Sequence, residues 1–207
     1  MAANAEPLVF IVSGPSGSGK STLVQGILAL PGTMLSVSCT TRPPRQTESG
    51  GKWYNFVSEQ EFERMKQADE FLEYAQVFGK NWYATPRRWL DEARKAGKNL
   101  VLEIDVQGAR QVKQKLPAAI AIFIVPPSRA EVEKRIRARG QDSEDEIARR
   151  LERARQELEQ YTDYDYIVIN DDRERATAEV QGIVLAARCG VKRNENRIKE
   201  ILKSFGG

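Results

Sequence analysis

Gly14, Gly19, Lys20 and Ser21 stand at the spacing G-x-x-x-x-G-K-[ST], the pattern in this chain with the plainest chemistry. Glycines let the backbone curl so that successive N–H groups point at phosphate oxygens. Lys20 is placed to reach β and γ phosphates, and the Ser21 hydroxyl can ligate Mg²⁺. The apolar run 8–13 leads into this stretch, and a helix is expected from Ser21 onward. Its positive N-terminal end would face the same anion. The other reading, a glycine turn with a surface lysine, explains neither the strand nor the helix. A phosphate loop does not by itself say whether a nucleotide is hydrolysed, used as a switch or used as a phosphoryl donor.

A second group of polar residues follows. The stretch 36–45 carries hydroxyls at Ser38, Thr40 and Thr41, then Arg42 and Arg45. Two arginines three apart can clamp a second phosphate. Tyr54, Glu73, Tyr83 and Thr85 add polar tips further on, and Glu103 and Asp105 close a central apolar run. In open α/β sheets ligands sit at such carboxyl ends. Taken singly, each of these has an ordinary structural reading.

Composition narrows the chemistry. The chain of 207 residues has no histidine, which excludes Ser-His-Asp and Cys-His catalysis and histidine metal sites. Cys39 and Cys189 lie far apart in no metal-type spacing, and read as reduced thiols of a cytoplasmic protein. A net charge of +3, spread through the helices, gives no ground for a nucleic-acid partner. The opening residues lack a basic segment followed by an apolar stretch, so no signal peptide is expected, and no run approaches a membrane span.

The elements that must position these residues follow from periodicity. Five apolar runs, 8–13, 34–38, 99–105, 119–125 and 164–170, read as strands buried on both faces. Helical patterns separate most of them, which predicts an α/β fold with a three-layer, doubly wound parallel sheet. Thr85-Pro86 reads as an N-cap followed by proline at the first helical position. Ser128 with Glu131, and Ser143 with Glu146, fit capping boxes, and Ser58 fits a helix cap. Residues 39–84, aromatic and alternating, read as a small antiparallel insert with one short helix. Residues 129–160 read as two helices, the second with Ile147, Leu151, Ala154 and Leu158 on its apolar face. Arg149, Arg150 and Arg153 fall mostly off that face, as a mobile lid or a solvated helix pair would have them. The expected divisions are 1–38 core with the phosphate loop, 39–84 insert, 85–128 core, 129–160 lid and following helix, and 161–207 core with C-terminal helices.

Taken together, "IVSGPSGSGKST", "SVSCTTRPPR", "YNFVSEQEF", "FLEYAQVFG", "LEIDVQGA", "FIVPPS", "RIRARGQDSE" and "YDYIVINDD" resemble the guanylate kinases, over nearly the whole chain. The resemblance implies Mg²⁺-dependent transfer of the ATP γ-phosphoryl group to GMP, and to dGMP, with 39–84 as a GMP-binding insert of mixed α/β type. It implies that ATP is held by Gly14, Ser16, Gly17, Ser18, Gly19, Lys20, Ser21, Thr22, Arg139 and Asn170. GMP would be held by Ser38, Arg42, Arg45, Tyr54, Glu73, Tyr83, Thr85 and Asp105. Lys20, Arg42, Arg135 and Arg150 would act on the transferring group, with Ser21 on Mg²⁺ and Glu103 behind it through water. The chain departs from the family pattern at Trp82 and Ala84, where Tyr and Gly are common, and at Glu103, where Asp is common. Guanylate-kinase-like modules that bind phosphopeptides without catalysis are the alternative. Monomer and homo-oligomer both remain open.

Overall fold

The computed structural model describes residues 6–44, 54–77, 81–138 and 143–205. In chain order, β1 (Val9–Ser13) leads through the glycine loop into α1 (Lys20–Leu28) and β2 (Thr33–Leu35). The insert follows with β3 (Cys39–Thr40), β4 (Asn55–Phe56), α2 (Glu59–Gln67), β5 (Phe71–Val77) and β6 (Asn81–Pro86). The chain then runs through α3 (Arg88–Ala96), β7 (Asn99–Glu103), α4 (Val106–Lys115) and β8 (Ile120–Val125). It ends with α5 (Arg129–Arg137), α6 (Glu144–Leu158), β9 (Tyr166–Ile169), α7 (Arg173–Arg188) and α8 (Val191–Ser204).

The main sheet is fully parallel in the order β2-β7-β1-β8-β9. Strand alternation sorts β1 onto two cores. Phe10 and Val12 pack with α1 and α7, while Val9 and Ile11 pack with α3 and α4. This is the expected three-layer core, with β1 central and its carboxyl end opening into the loop.

Three local expectations change. Only Met34 and Leu35 of the run 34–38 are strand, in a β2 that begins at Thr33. Ser36 N–H still bonds to Val101 in the main sheet, but the Ser38 carbonyl accepts from Asn55 N–H. The chain therefore changes sheets between Ser36 and Ser38. Thr85 and Pro86 do not open a helix but end β6, with Thr85 paired to Glu73 across the ladder. Helix α3 starts at Arg88 with no side-chain cap. β9, expected to be buried on both faces, is an edge strand with Tyr166, Ile167 and Ile169 exposed.

The insert forms a second sheet, β4-β3-β6-β5. It is mixed rather than antiparallel throughout, because β3 and β4 run parallel. Parallel neighbours need a long connection, and residues 41–54 provide that length. Cys39, Phe62, Met65, Phe71 and Ala84 make its own core. The caps behave as expected at Ser58, Ser128 and Ser143, with a full capping box only at Ser143. α5 and α6 pack through Val132, Ile136, Ile147, Leu151 and Ala154.

Gly14 has φ of 146°, and a Cβ placed there would lie 2.2 Å from the Ile124 carbonyl oxygen. Backbone cannot yield as a flexible side chain does. Gly14→Ala is expected to lower unfolding free energy by about 2–4 kcal/mol, combining strain and collision. Urea unfolding followed by circular dichroism checks this.

Candidate active site

The loop after β1 is braced by elements distant in sequence. Gly19, with φ of 87°, is the N-cap of α1, and a Cβ there would sit 2.2 Å from Asn170 Nδ2. Asn170 is buried at the end of β9 and donates to the Ser18 carbonyl at 2.7 Å. Arg135 of α5 donates to the Gly17 and Ser18 carbonyls, both at 3.2 Å, and to the Asn170 carbonyl. Arg150 of α6 donates to Ser16 Oγ at 2.8 Å. The loop is also closed by its own backbone, with Ser18 N–H on the Pro15 carbonyl and Thr22 N–H on the Gly19 carbonyl, both at 3.2 Å.

Lys20 Nζ donates to the Gly14 and Pro15 carbonyls at 2.6 and 3.1 Å, so its charge lies over the loop. Ser21 Oγ donates to Glu103 Oε1 at 2.6 Å, joining the start of α1 to the end of β7. Thr22 is exposed beside it.

The second group of polar residues singled out in the sequence gathers on the insert and on the adjoining end of the main sheet. Arg42 Nε donates to the Tyr83 hydroxyl at 3.2 Å, and its guanidinium lies 5.6 Å from the Tyr54 ring centre. Tyr54 and Tyr83 meet edge to face at 5.7 Å. Ser38 is half-buried where the chain passes between the sheets. Glu73 is 3% exposed and accepts from Thr85 Oγ1 at 2.7 Å. Asp105 caps α4, its Oδ1 accepting from Gly108 N–H at 2.9 Å. A Cβ at Gly108 would lie 2.5 Å from Glu73 Oε2, so the two carboxylates flank one helix start. Arg45 and Arg139 lie outside the described residues.

The described residues thus bring together a glycine loop, an arginine with two tyrosines, and a buried Glu73 beside a half-buried Asp105. The family model described as guanylate kinase matches residues 6–187. The chain belongs to the guanylate kinase family. It is 45% identical to the guanylate kinase of Escherichia coli strain K12 over 93% of this chain and 94% of that protein. It is 43% identical to that of Symbiobacterium thermophilum, covering 96% and 94%. The crystal structure of guanylate kinase from Anaplasma phagocytophilum superposes with a TM-score of 0.74 at 32% identity, covering 91% of this chain and 90% of that one. The activity is that of a guanylate kinase, on small-molecule nucleotides with ATP in the reaction. No helix among the described residues is long and apolar enough to cross a membrane.

Within this guanylate kinase fold, the departures from the family pattern find places. The Ala84 side chain is buried in the insert core, on the opposite side of β6 from its neighbour Thr85. Trp82 packs 5.8 Å from Phe62. Glu103 reaches Ser21 with its longer stem. Arg153, expected only as an arginine off the apolar face of α6, lies 3.7 Å from Asp105 Oδ2 and bonds to Glu157 one turn on, a residue the sequence did not single out. Their i, i+4 spacing was visible, but it signals only a local helix pair.

Burial pushes the Glu73 carboxyl up to about 7 from 4.5, against the hydrogen bond from Thr85 and with the Asp105 charge adding to the rise. The folded protein therefore binds this proton more tightly than the unfolded chain. Stability from Glu73 is present below pH 4.5 and is lost as pH rises to about 7. Relative to Glu73→Gln, the ligand-free wild type is expected to lose about 3 kcal/mol between pH 4.5 and pH 8. Unfolding free energies of both proteins across that range check the sign and size.

Proposed function

We propose that this guanylate kinase transfers the γ-phosphoryl group of Mg²⁺-bound ATP to GMP, and to dGMP, by positioning and charge stabilisation, with no general base. Glu73 carries the reading: a nearly fully buried carboxylate that accepts from Thr85 and flanks Asp105 at the α4 start. Guanine offers N1–H and N2–H₂ to such groups, whereas adenine presents a lone pair and leaves them unpaired. The Ser38 hydroxyl can donate to guanine O6, and the Thr85 hydroxyl, whose proton goes to Glu73, would have to turn to do so.

The donor phosphates lie on the loop 14–21, with Ser16, Gly17, Ser18 and Thr22 around them and Arg139 and Asn170 on the adenine side. Asn170 acts there by fixing the Ser18 carbonyl. Arg42, Arg45, Tyr54 and Tyr83 hold the GMP phosphate, whose oxygen is already anionic. That oxygen attacks the γ-phosphorus in line, the bond to the β-bridging oxygen breaks, and GDP and ADP leave. Lys20, Arg135 and Arg150 offset charge on the moving group.

The oxygens of Ser21 and Glu103, 2.6 Å apart, suit Mg²⁺, which takes oxygen ligands and keeps water. Ser21 would hold it directly and Glu103 through water. When bound, Mg²⁺ neutralises charge on the β and γ oxygens. We place the reaction in the cytoplasm, where Cys39 and Cys189, both free thiols, stay reduced. The residues 39–84 act as the GMP-binding insert, and 129–160 as the lid over the main core.

Lys20→Ala is expected to lower kcat by about 10²-fold or more while the ligand-free melting temperature stays close to wild type. Turnover near wild type removes the loop lysine from the mechanism. For selectivity, Glu73→Gln with Asp105→Asn is expected to narrow the GMP/AMP ratio of kcat/KM by about 10²-fold or more. Arg42→Ala should weaken both monophosphates alike. A ratio that narrows more in Arg42→Ala than in the carboxylate pair overturns the division into phosphate and base contacts.

A further inference from the structure

Arg153 lies on α6, partly buried, and its guanidinium faces out of its own helix pair toward the main core. Its Nε donates to Glu157 Oε1 at 2.8 Å, one turn along α6. Its Nη2 lies 3.7 Å from Asp105 Oδ2, at the far end of β7. Glu157 is 7% exposed, so the carboxylate behind Arg153 has little competing access to water. A planar guanidinium tied at Nε has the direction of its remaining donors fixed.

Asp105 is held from the other side. Oδ1 accepts from Gly108 N–H, which sets the carboxylate plane at the start of α4. Oδ2 is buried and accepts no hydrogen bond. Leaving such an oxygen without a donor is costly. The nearby guanidinium offsets part of that cost. At 3.7 Å it attracts Oδ2 without a hydrogen bond, so no protein donor holds the lone pairs of that oxygen.

Arg150 stands three residues before Arg153 on the same helix and reaches Ser16 of the phosphate loop. α6 thus sends one guanidinium to the donor loop and one to an acceptor carboxylate. Displacing α6 displaces both.

We propose that Arg153, oriented by Glu157, is a positioning residue that ties α6 to Asp105 and so prepares the guanine-reading carboxylate. The inference rests on the reading of Asp105 as a guanine contact. It adds a specificity-supporting role for a side chain that touches neither phosphate nor the reacting atoms.

The test is a double-mutant cycle with KM for GMP and KM for ATP measured separately. Arg153→Gln is expected to raise KM for GMP about tenfold, with kcat and KM for ATP within about twofold of wild type. Arg153→Lys should recover most of the loss, since it keeps the charge. Asp105→Asn should raise KM for GMP by itself, and adding Arg153→Gln to it should change KM by less than about twofold. Additive effects, equal shifts in both KM values, or a wild-type KM in Arg153→Gln overturn the proposal. If Asp105→Asn leaves KM for GMP unchanged, the base-reading role of Asp105 falls and this inference with it. If only Arg153→Gln is silent, the base reading stands and the role of Arg153 falls. Should Arg153→Gln melt below the assay temperature, Glu157→Gln replaces it: it loosens Arg153 from behind and must give a smaller, equally Asp105-dependent rise in KM for GMP.

Discussion

Gly14 passes so close to the Ile124 carbonyl that no side chain fits between β1 and β8. This approach sets where the chain can leave β1 and how tightly it can turn. At the other end of the turn Gly19 is held by its φ of 87°, a left-handed conformation that favours glycine, with the Asn170 side chain against it. A loop pinned at both ends has few conformations, and its carbonyls must go somewhere. They are taken by Arg135 and Asn170, from α5 and from the end of β9. Helix α1 then starts at Lys20 with its positive N-terminal end at the loop, a place that favours an anion.

The loop's bracing links the α5–α6 pair to the core. Arg135 and Arg150 reach the loop from α5 and α6. Both helices share a small apolar core of their own, which makes them a unit. A movement of that unit changes charge around the loop and around Asp105 at once. Enzymes that transfer phosphoryl groups must keep water from the donor, and a unit tied to both sites is suited to that.

The acceptor side solves a different problem, placing negative charge where water is scarce. Burial makes Glu73 keep its proton up to about pH 7, against the Thr85 hydroxyl, whose hydrogen bond favours the ionised carboxylate. Asp105 instead takes a backbone N–H at a helix start and faces a guanidinium. Two carboxylates side by side are tolerable because their environments differ.

The sequence alone determined the α/β architecture, the glycine loop and the separate insert. These rest on local signals: apolar runs of strand length, glycines at fixed offsets, and a change of periodicity between 39 and 84. All five main-sheet strands appeared where apolar runs stood, though 34–38 gave a shorter strand because its later residues pair in the second sheet. Thr85-Pro86 looked like a helix start because capping rules see only neighbours. Its hydroxyl goes to Glu73, twelve residues earlier, which only strand pairing could bring near. The parallel pairing of β3 with β4 was likewise decided by the path of the chain. Tertiary structure alone set Arg135 on the loop carbonyls and Arg153 beside Asp105, across separations of 118 residues in the first case. A side chain's type and spacing limit what it can bind. The folded chain decides which distant partner stands within reach, because a hydrogen bond or ion pair acts only over a few ångströms.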